Sequence, residues 1–478
     1  MISTKMKILL VLPAGDQYRI VTEKDNVPSR NMLRFSILSL TLVAALTPPE
    51  YKVDICDENV EVLDFETDAQ VIGISFMTAL APRAFEIASR FREKGKTVVA
   101  GGYHPTLCPN ETAKYFNAVV IGDAEELWPK VLNDIANNSL QSVYQHSRSC
   151  SLTQTPFPRR DLLHNTANYY ATTNAVQIGR GCIHACKFCS ISAFYSGKYR
   201  SRPLSNVMSE LKSLSKDLIF VDDNIISNPD YARCLFKEMI PLKKRWIGQC
   251  SLKIADDTEL LQLAYASGCQ GLFIGIETLN KENLSFVGKD INTEYELKKR
   301  INTIRKARIA IIAGLIVGMD FDDISVFEYT LQFLKQTKID AIQVNIMTPL
   351  PGTPLFKKFK ISGRITDTNY ANYDFRHVVI KPARMTPDEL QNGADWLYNS
   401  FYRLDKIILR TLGAIWRLGI LKAILGFKLN MTYRYDNKRE NIVGYNPFKK
   451  KKITDSLQLI NKLQPLQKKD FRAVYTPR

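Results

Sequence analysis

AVQIGRGCIHACKFCSI, residues 175–191, reads as a short apolar strand running into a loop with three cysteines. Cys182, Cys186 and Cys189 have the spacing C-x3-C-x2-C. Three thiolates in one loop can bind three irons of a [4Fe–4S] cluster and leave the fourth iron open to a small molecule. Phe188, just before the last cysteine, offers an aromatic ring that would shield such a centre from water. A structural zinc loop usually has four protein ligands in two pairs. No fourth ligand sits close by, although His184 lies inside the loop, where it reads as a neighbour of the centre or as an exposed residue.

Downstream, strand patterns recur with helical stretches between them: LIFVDD (218–223), WIGQCSL (246–252), GLFIGIE (271–277), IAGLIVGMD (312–320) and AIQVNIM (341–347). Six strand–helix units in about 180 residues predict a partial (β/α)6 barrel over residues 169–365 rather than a full eight-fold one. Upstream, KILLVL (7–12), residues 52–56, VIGISF (71–76), TVVAGG (97–102) and AVVIGD (118–123) read as strands, with helices at 36–46, 82–94 and 125–137. This alternation predicts a doubly wound, Rossmann-like parallel sheet over residues 1–140. Residues 141–168, rich in Ser, Gln, Thr and Pro, read as a linker. The fold class is therefore α/β, completed by a helical C-terminal extension over 366–478. In that extension MTPDEL predicts a helix start, with Thr386 as N-cap, Pro387 first in the helix and Glu389 closing a capping box. The extension is expected to cover the open side of the barrel.

At 478 residues the chain has room for about three domains. Its 45% hydrophobic and 24% charged residues exclude a mainly disordered chain. No stretch of about 18 apolar residues is free of charge, so a spanning helix is not expected. The net charge of +17 is uneven: residues 401–478 hold 18 Lys/Arg against 5 Asp/Glu. Charge-based partners belong to that tail, and nucleic acid is not expected at the core. Within residues 404–428, Lys406, Arg410, Arg417 and Lys428 fall within about 40° of one another on a helical wheel. An interfacial helix on anionic lipid would show such a stripe; so would a helix packed on the barrel with one solvated edge. The run at 449–452 reads as solvated charge. The mainly apolar stretch at 6–12 is headed by Lys5 and Lys7, but Asp16, Arg19, Glu23 and Lys24 come next without a clean cleavage site, so it reads as a strand of a cytoplasmic chain. Nine cysteines, an odd number, argue against a closed disulfide framework.

The cysteine triplet, with an aromatic before its last member, resembles the radical S-adenosylmethionine (SAM) enzymes over residues 170 to about 360. The resemblance implies a cluster on Cys182, Cys186 and Cys189, with SAM chelating the open iron and Phe188 beside it. It implies SAM contacts at the matching strand ends: Asp222, Asp223, Gln249, Ser251, Glu277 of GIET, and Gly314 and Gly318 of GLIVG. FVDDN stands where Gly-Gly-Glu is common, and Phe321, between Asp320 and Asp322, stands where an acid is usual. The preceding sheet makes the chain similar to the cobalamin-binding members. Ser75, Gly101, Gly102, His104, Gly122 and Glu125 are then the expected cobalamin contacts, the paired glycines allowing close approach of a bulky ligand. The D-x-H-x-x-G motif of many such domains is replaced by PAGDQYRI, so cobalamin is expected without a His lower ligand. The segment YDFRHVVIKPARMTPDELQNGADWLYNSFY is similar to the extension of a subgroup that includes the hopanoid C2-methylase.

What the resemblance implies for chemistry is SAM cleavage to a 5′-deoxyadenosyl radical, hydrogen removal from an unactivated carbon, and methyl transfer by cobalamin. It also implies an electron donor such as flavodoxin or ferredoxin. Rival readings are a cobalamin-dependent cyclase or rearrangement enzyme, an RNA methylthiotransferase, or a non-catalytic iron–sulfur or metal-binding protein at a membrane surface. A methylthiotransferase usually has a second cysteine trio; Cys56, Cys108 and Cys150 do not obviously converge. The tail leans toward a small, lipid-like substrate and peripheral contact with anionic lipid at the inner membrane face.

Overall fold

The computed structural model describes residues 6–16, 18–21, 35, 37–146, 150–164, 169–288 and 293–440, excluding the side chains of 436–440. The basic run at 449–452 lies outside them.

The first sheet contains β1 (Lys7–Leu12), β2 (Lys52–Asp57), β3 (Val71–Ser75), β4 (Thr97–Gly101), β5 (Ala118–Ile121) and β6 (Val143–Gln145), in the order β2-β1-β3-β4-β5-β6. Every pair is parallel, so both faces need helical cover. On one face Ile72 and Ile74 pack with Ala84, Ile87 and Phe91 of the helix Ala81–Glu93. On the other, Leu10 and Val99 pack with Leu40 and Trp128 of the helices Leu38–Leu46 and Leu127–Ala136. β6 falls in the stretch expected to be a linker. Only Tyr144 of its three residues is buried, so an edge strand this short leaves almost no apolar pattern to read.

The second sheet contains β7 (Ala175–Val176), β10 (Asp217–Phe220), β11 (Arg245–Cys250), β12 (Cys269–Glu277), β13 (Ala310–Val317) and β14 (Ala341–Ile346), in the order β14-β13-β12-β11-β10-β7. This is the open six-stranded barrel expected, its outer wall sealed by Leu235, Phe236, Leu260, Ile304 and Phe333. An antiparallel hairpin, β8 (Gly179–Gly181) with β9 (Tyr199–Ser201), rises from the end of β7 and carries the cysteine loop. Gly181 has φ +89°, and a Cβ there would sit 2.0 Å from the Lys198 carbonyl oxygen. Only glycine fits both constraints.

The extension seals the free edge of β14. Tyr402 places its hydroxyl against both backbone polar groups of Ile342, and the Phe375 carbonyl accepts from the Ile346 N–H at 2.7 Å. An uncovered edge strand is an aggregation template, so these bonds have structural purpose. The helix Pro387–Phe401 begins with the Thr386/Glu389 capping box and Pro387 that the sequence predicts.

Beyond it, the helices Leu404–Leu418 and Ile420–Glu440 pack as a pair. The basic stripe is split: Lys406 and Lys428 stay at the surface, but its two arginines do not. Arg410 stacks on Phe401 and donates to the Phe401 carbonyl, while Arg417 donates to the Ile309 carbonyl and pairs with Asp340. These arginines face the barrel. Leu409, Leu412, Trp416, Ile420 and Leu421 face outward, with Trp416 92% exposed. Among the described residues, no helix is long and apolar enough to cross a membrane.

The two sheets are locked together at the hairpin. Arg180 donates to Asp123 at 2.8 Å and pairs with Glu125, and Arg200 reaches Asp123 at 2.6 Å. Burial pushes the Asp123 carboxyl up, but the two guanidiniums override it and hold it below the usual carboxylate range. Removing one member of a buried ionic set strands its partners. Arg180→Met is therefore expected to cost about 3–5 kcal/mol, read as a lower urea midpoint at neutral pH with the hairpin losing amide protection first.

Candidate active site

The cysteine loop hangs over the C-terminal mouth of the barrel because three backbone N–H groups of its stem are caught by the end of β10. Asp222 accepts from Ile178 at 3.0 Å and from Gly179 at 2.7 Å, and Asp223 accepts from Gly181. Asn224 continues the lattice by accepting from the Ser251 N–H at 3.0 Å. The segment FVDDN thus positions the loop above β7 and ties β10 to β11.

Cys182, Cys186 and Cys189 all line one cavity of about 500 Å³ at this mouth. Cys186 is buried. Burial raises the Cys189 thiol, while the Ile191 and Ser192 N–H groups at the start of the next helical turn oppose that rise. Three thiols from one short loop on one cavity wall suit a [4Fe–4S] centre with one open iron better than a structural zinc, which takes its four ligands in two pairs.

The same cavity receives Phe188, Asp223, Gln249, Ser251, Glu277 and Gly314. Glu277 has φ +66° at an irregularity in the β12–β13 register. A non-glycine residue held there costs about 1–3 kcal/mol, and such outliers concentrate at working sites. Two expected SAM contacts are absent from this wall. Asp222 is 1% exposed and turned under the stem. Gly318 abuts Leu390, and its N–H goes to Asp322. Consecutive residues at a strand end point to opposite sides, so of the adjacent acids only Asp223 reaches the cavity. Asn345, Met347, Arg300 and Phe375 also line it. Asn345 and Met347 could have been found by stepping two residues along the sixth strand; Phe375 lies in the extension, where no periodic signal marks it.

A second cavity, about 320 Å³, lies at the strand ends of the first sheet and is lined by Ser75, Gly101, Gly102, Gly122 and Glu125. A Cβ at Gly101 or Gly122 would meet nothing within 4 Å. These glycines leave open room beside the sheet, which suits a flat, bulky ligand. His104 is corrected: it does not line this cavity. The short helix Tyr103–Leu107 turns it back under the sheet, fully buried against Phe76, with Nδ1 3.3 Å from the Thr78 hydroxyl. Among the described residues that line this cavity there is no histidine. Glu125 lines the wall while bound to Arg180. Tyr103, Phe194 and Tyr195 form an aromatic partition on the side of the cysteine loop.

A third cavity, about 840 Å³, fills the lower barrel between the strands and the terminal helix pair. Gln249 and Phe273 line both it and the cysteine cavity.

Residues 176–334 match the radical SAM superfamily. The chain is 29% identical over 388 residues to bacteriochlorophyllide d C-12(1)-methyltransferase of Chlorobaculum tepidum, covering 79% of this chain and 84% of that one. It is 28% identical to the hopanoid C-2 methylase of Rhodopseudomonas palustris, covering 70% and 67%. Among solved structures, the radical S-adenosylmethionine methyltransferase TsrM from Kitasatospora setae, with cobalamin and a [4Fe–4S] cluster bound, superimposes with TM-score 0.62 at 15% identity, covering 91% of this chain and 99% of that one.

Burial pushes Asp222 up to about 7 against the bonds from Ile178 and Gly179. A carboxyl raised in the folded state adds stability below its ordinary pKa near about 4 and loses it as pH rises to the folded value. The wild-type urea midpoint should therefore fall between about pH 4 and pH 7 relative to Asp222→Asn, whose side-chain oxygen can keep accepting both bonds. Parallel midpoint curves for the two proteins would contradict this.

Proposed function

Since its barrel is a radical SAM domain, we propose that this chain is a cobalamin-dependent enzyme that methylates an unactivated carbon. The observation that carries the reading is the double role of one hairpin. Its loop turns Cys182, Cys186 and Cys189 into the barrel mouth, while its stem and following helix put Arg180, Phe194 and Tyr195 on the wall of the glycine-rimmed cavity. Two cavities thus meet at one loop. The methyltransferase names of the related proteins support the same outcome.

The bound groups would supply radical generation from SAM and a methyl carrier. The chain's own residues bind, orient and exclude water. The three thiolates would hold the cluster. Asp223, Gln249, Ser251, Glu277 and Gly314, on the same cavity wall, would hold SAM. Phe188, Ile316 and Met347 give this end an apolar lining, which restrains water near a reactive carbon radical.

For the substrate, we infer a small molecule with an extended apolar part. The lower cavity is lined by Ile219, Ile247, Ile312, Leu425 and Leu429 among others. The outward apolar face of the terminal helices, followed by the basic tail, supports peripheral contact with anionic lipid.

Anaerobically reconstituted protein is expected to carry one [4Fe–4S] cluster and cobalamin by absorbance and metal content, and to release 5′-deoxyadenosine from SAM. Cys186→Ala should lose the cluster absorbance and reduce SAM cleavage to background; wild-type turnover in that variant would refute the assignment. In the lipid test, Trp416→Ser should weaken co-sedimentation with phosphatidylglycerol vesicles by about tenfold or more, the loss of about 2 kcal/mol of buried aromatic surface. Equal sedimentation of both proteins would remove the membrane reading and leave the enzyme assignment intact.

A further inference from the structure

Just past the end of β4, outside the two cofactor cavities described above, three potential metal donors converge. His104 ends its side chain in the core; Cys108 stands at the break between the short helices Tyr103–Leu107 and Pro109–Thr112, and Glu111 lies on the second of them, so the bend at Cys108 brings the three side chains together. His104 Nε2, the Cys108 sulfur and a Glu111 carboxylate oxygen all lie within 4.8 Å of one another. His104 is fully buried, and its Nε2 has no hydrogen-bond partner. Its Nδ1 lies 3.3 Å from the Thr78 hydroxyl. A neutral imidazole donating from Nδ1 to Thr78 keeps its Nε2 lone pair free, the arrangement typical of a metal-ligating histidine. Tyr370, from the extension, donates to Glu111 at 3.0 Å and packs its ring 5.2 Å from that of His104. It therefore orients the carboxylate from the fourth side.

We propose that His104, Cys108 and Glu111 form a zinc site that pins the strand-end turn at Gly101–Gly102 to the C-terminal extension. An N/S/O donor set of this kind suits Zn²⁺. One thiolate and one carboxylate neutralise its charge in a setting otherwise made of Phe76, Phe85 and Tyr370. The fourth position is open to water, because Glu111 is partly exposed. Zinc binding would displace the Cys108 thiol proton to solvent, since the thiolate is the ligand.

The test uses the reconstituted, cluster-loaded full chain, incubated with zinc sulfate and dialysed against a weak chelator. Stoichiometric zinc should remain by mass spectrometry, and zinc K-edge absorption should show a single sulfur neighbour. Cys108→Ser and Glu111→Gln should each weaken zinc retention by about 10–100-fold with iron, sulfide and circular dichroism unchanged. No zinc retained by the wild type, or equal retention in Cys108→Ser, would overturn the site. Neither outcome bears on SAM cleavage.

Discussion

The architecture depends on how one hairpin is held from two sides. Below it, Asp222 and Asp223 at the end of β10 take the N–H groups of Ile178, Gly179 and Gly181. Beside it, Arg180 and Arg200 bind Asp123 and Glu125 at the end of the first sheet. Acids on one support accept backbone hydrogen bonds, and acids on the other accept guanidinium. The loop between them holds one short helix, Ser190–Tyr195, and these buried bonds fix the stem that carries it. Breaking either support leaves charged or polar groups unsatisfied in a low-dielectric region, where they are expensive.

This arrangement explains why acids at the same strand end do different work. Asp222 is spent on holding the stem; Asp223 accepts one N–H yet still faces the cavity. Burial raises Asp223 to about 6, against the bond it accepts from Gly181. The same economy applies to Glu125, which lines the second cavity while paired with Arg180. At these junctions structural and binding roles fall on neighbouring atoms.

The six barrel strands and the cysteine loop were legible because each leaves a local pattern: apolar runs of fixed length, and thiols at short spacing. The capping box at Thr386 was legible for the same reason. What the sequence hid was orientation. Asp222 and Asp223 look equivalent until the strand's alternation is set by the core. His104 looks like a ligand of the adjacent cavity until the short helix after Gly102 turns it inward. The stripe of Arg410 and Arg417 looked like a solvated or lipid-facing edge, but Asp340 and the Ile309 carbonyl draw both arginines onto the barrel. Long-range partners such as these, like Phe375 at the cavity mouth, follow from tertiary packing and have no local spacing to betray them.

The shared wall of Gln249 and Phe273 has a consequence for selectivity. Both side chains line the cavity above the helix pair and the cavity at the cysteine loop. What divides the two spaces is therefore a pair of side chains, and their size decides whether a guest in one can reach into the other.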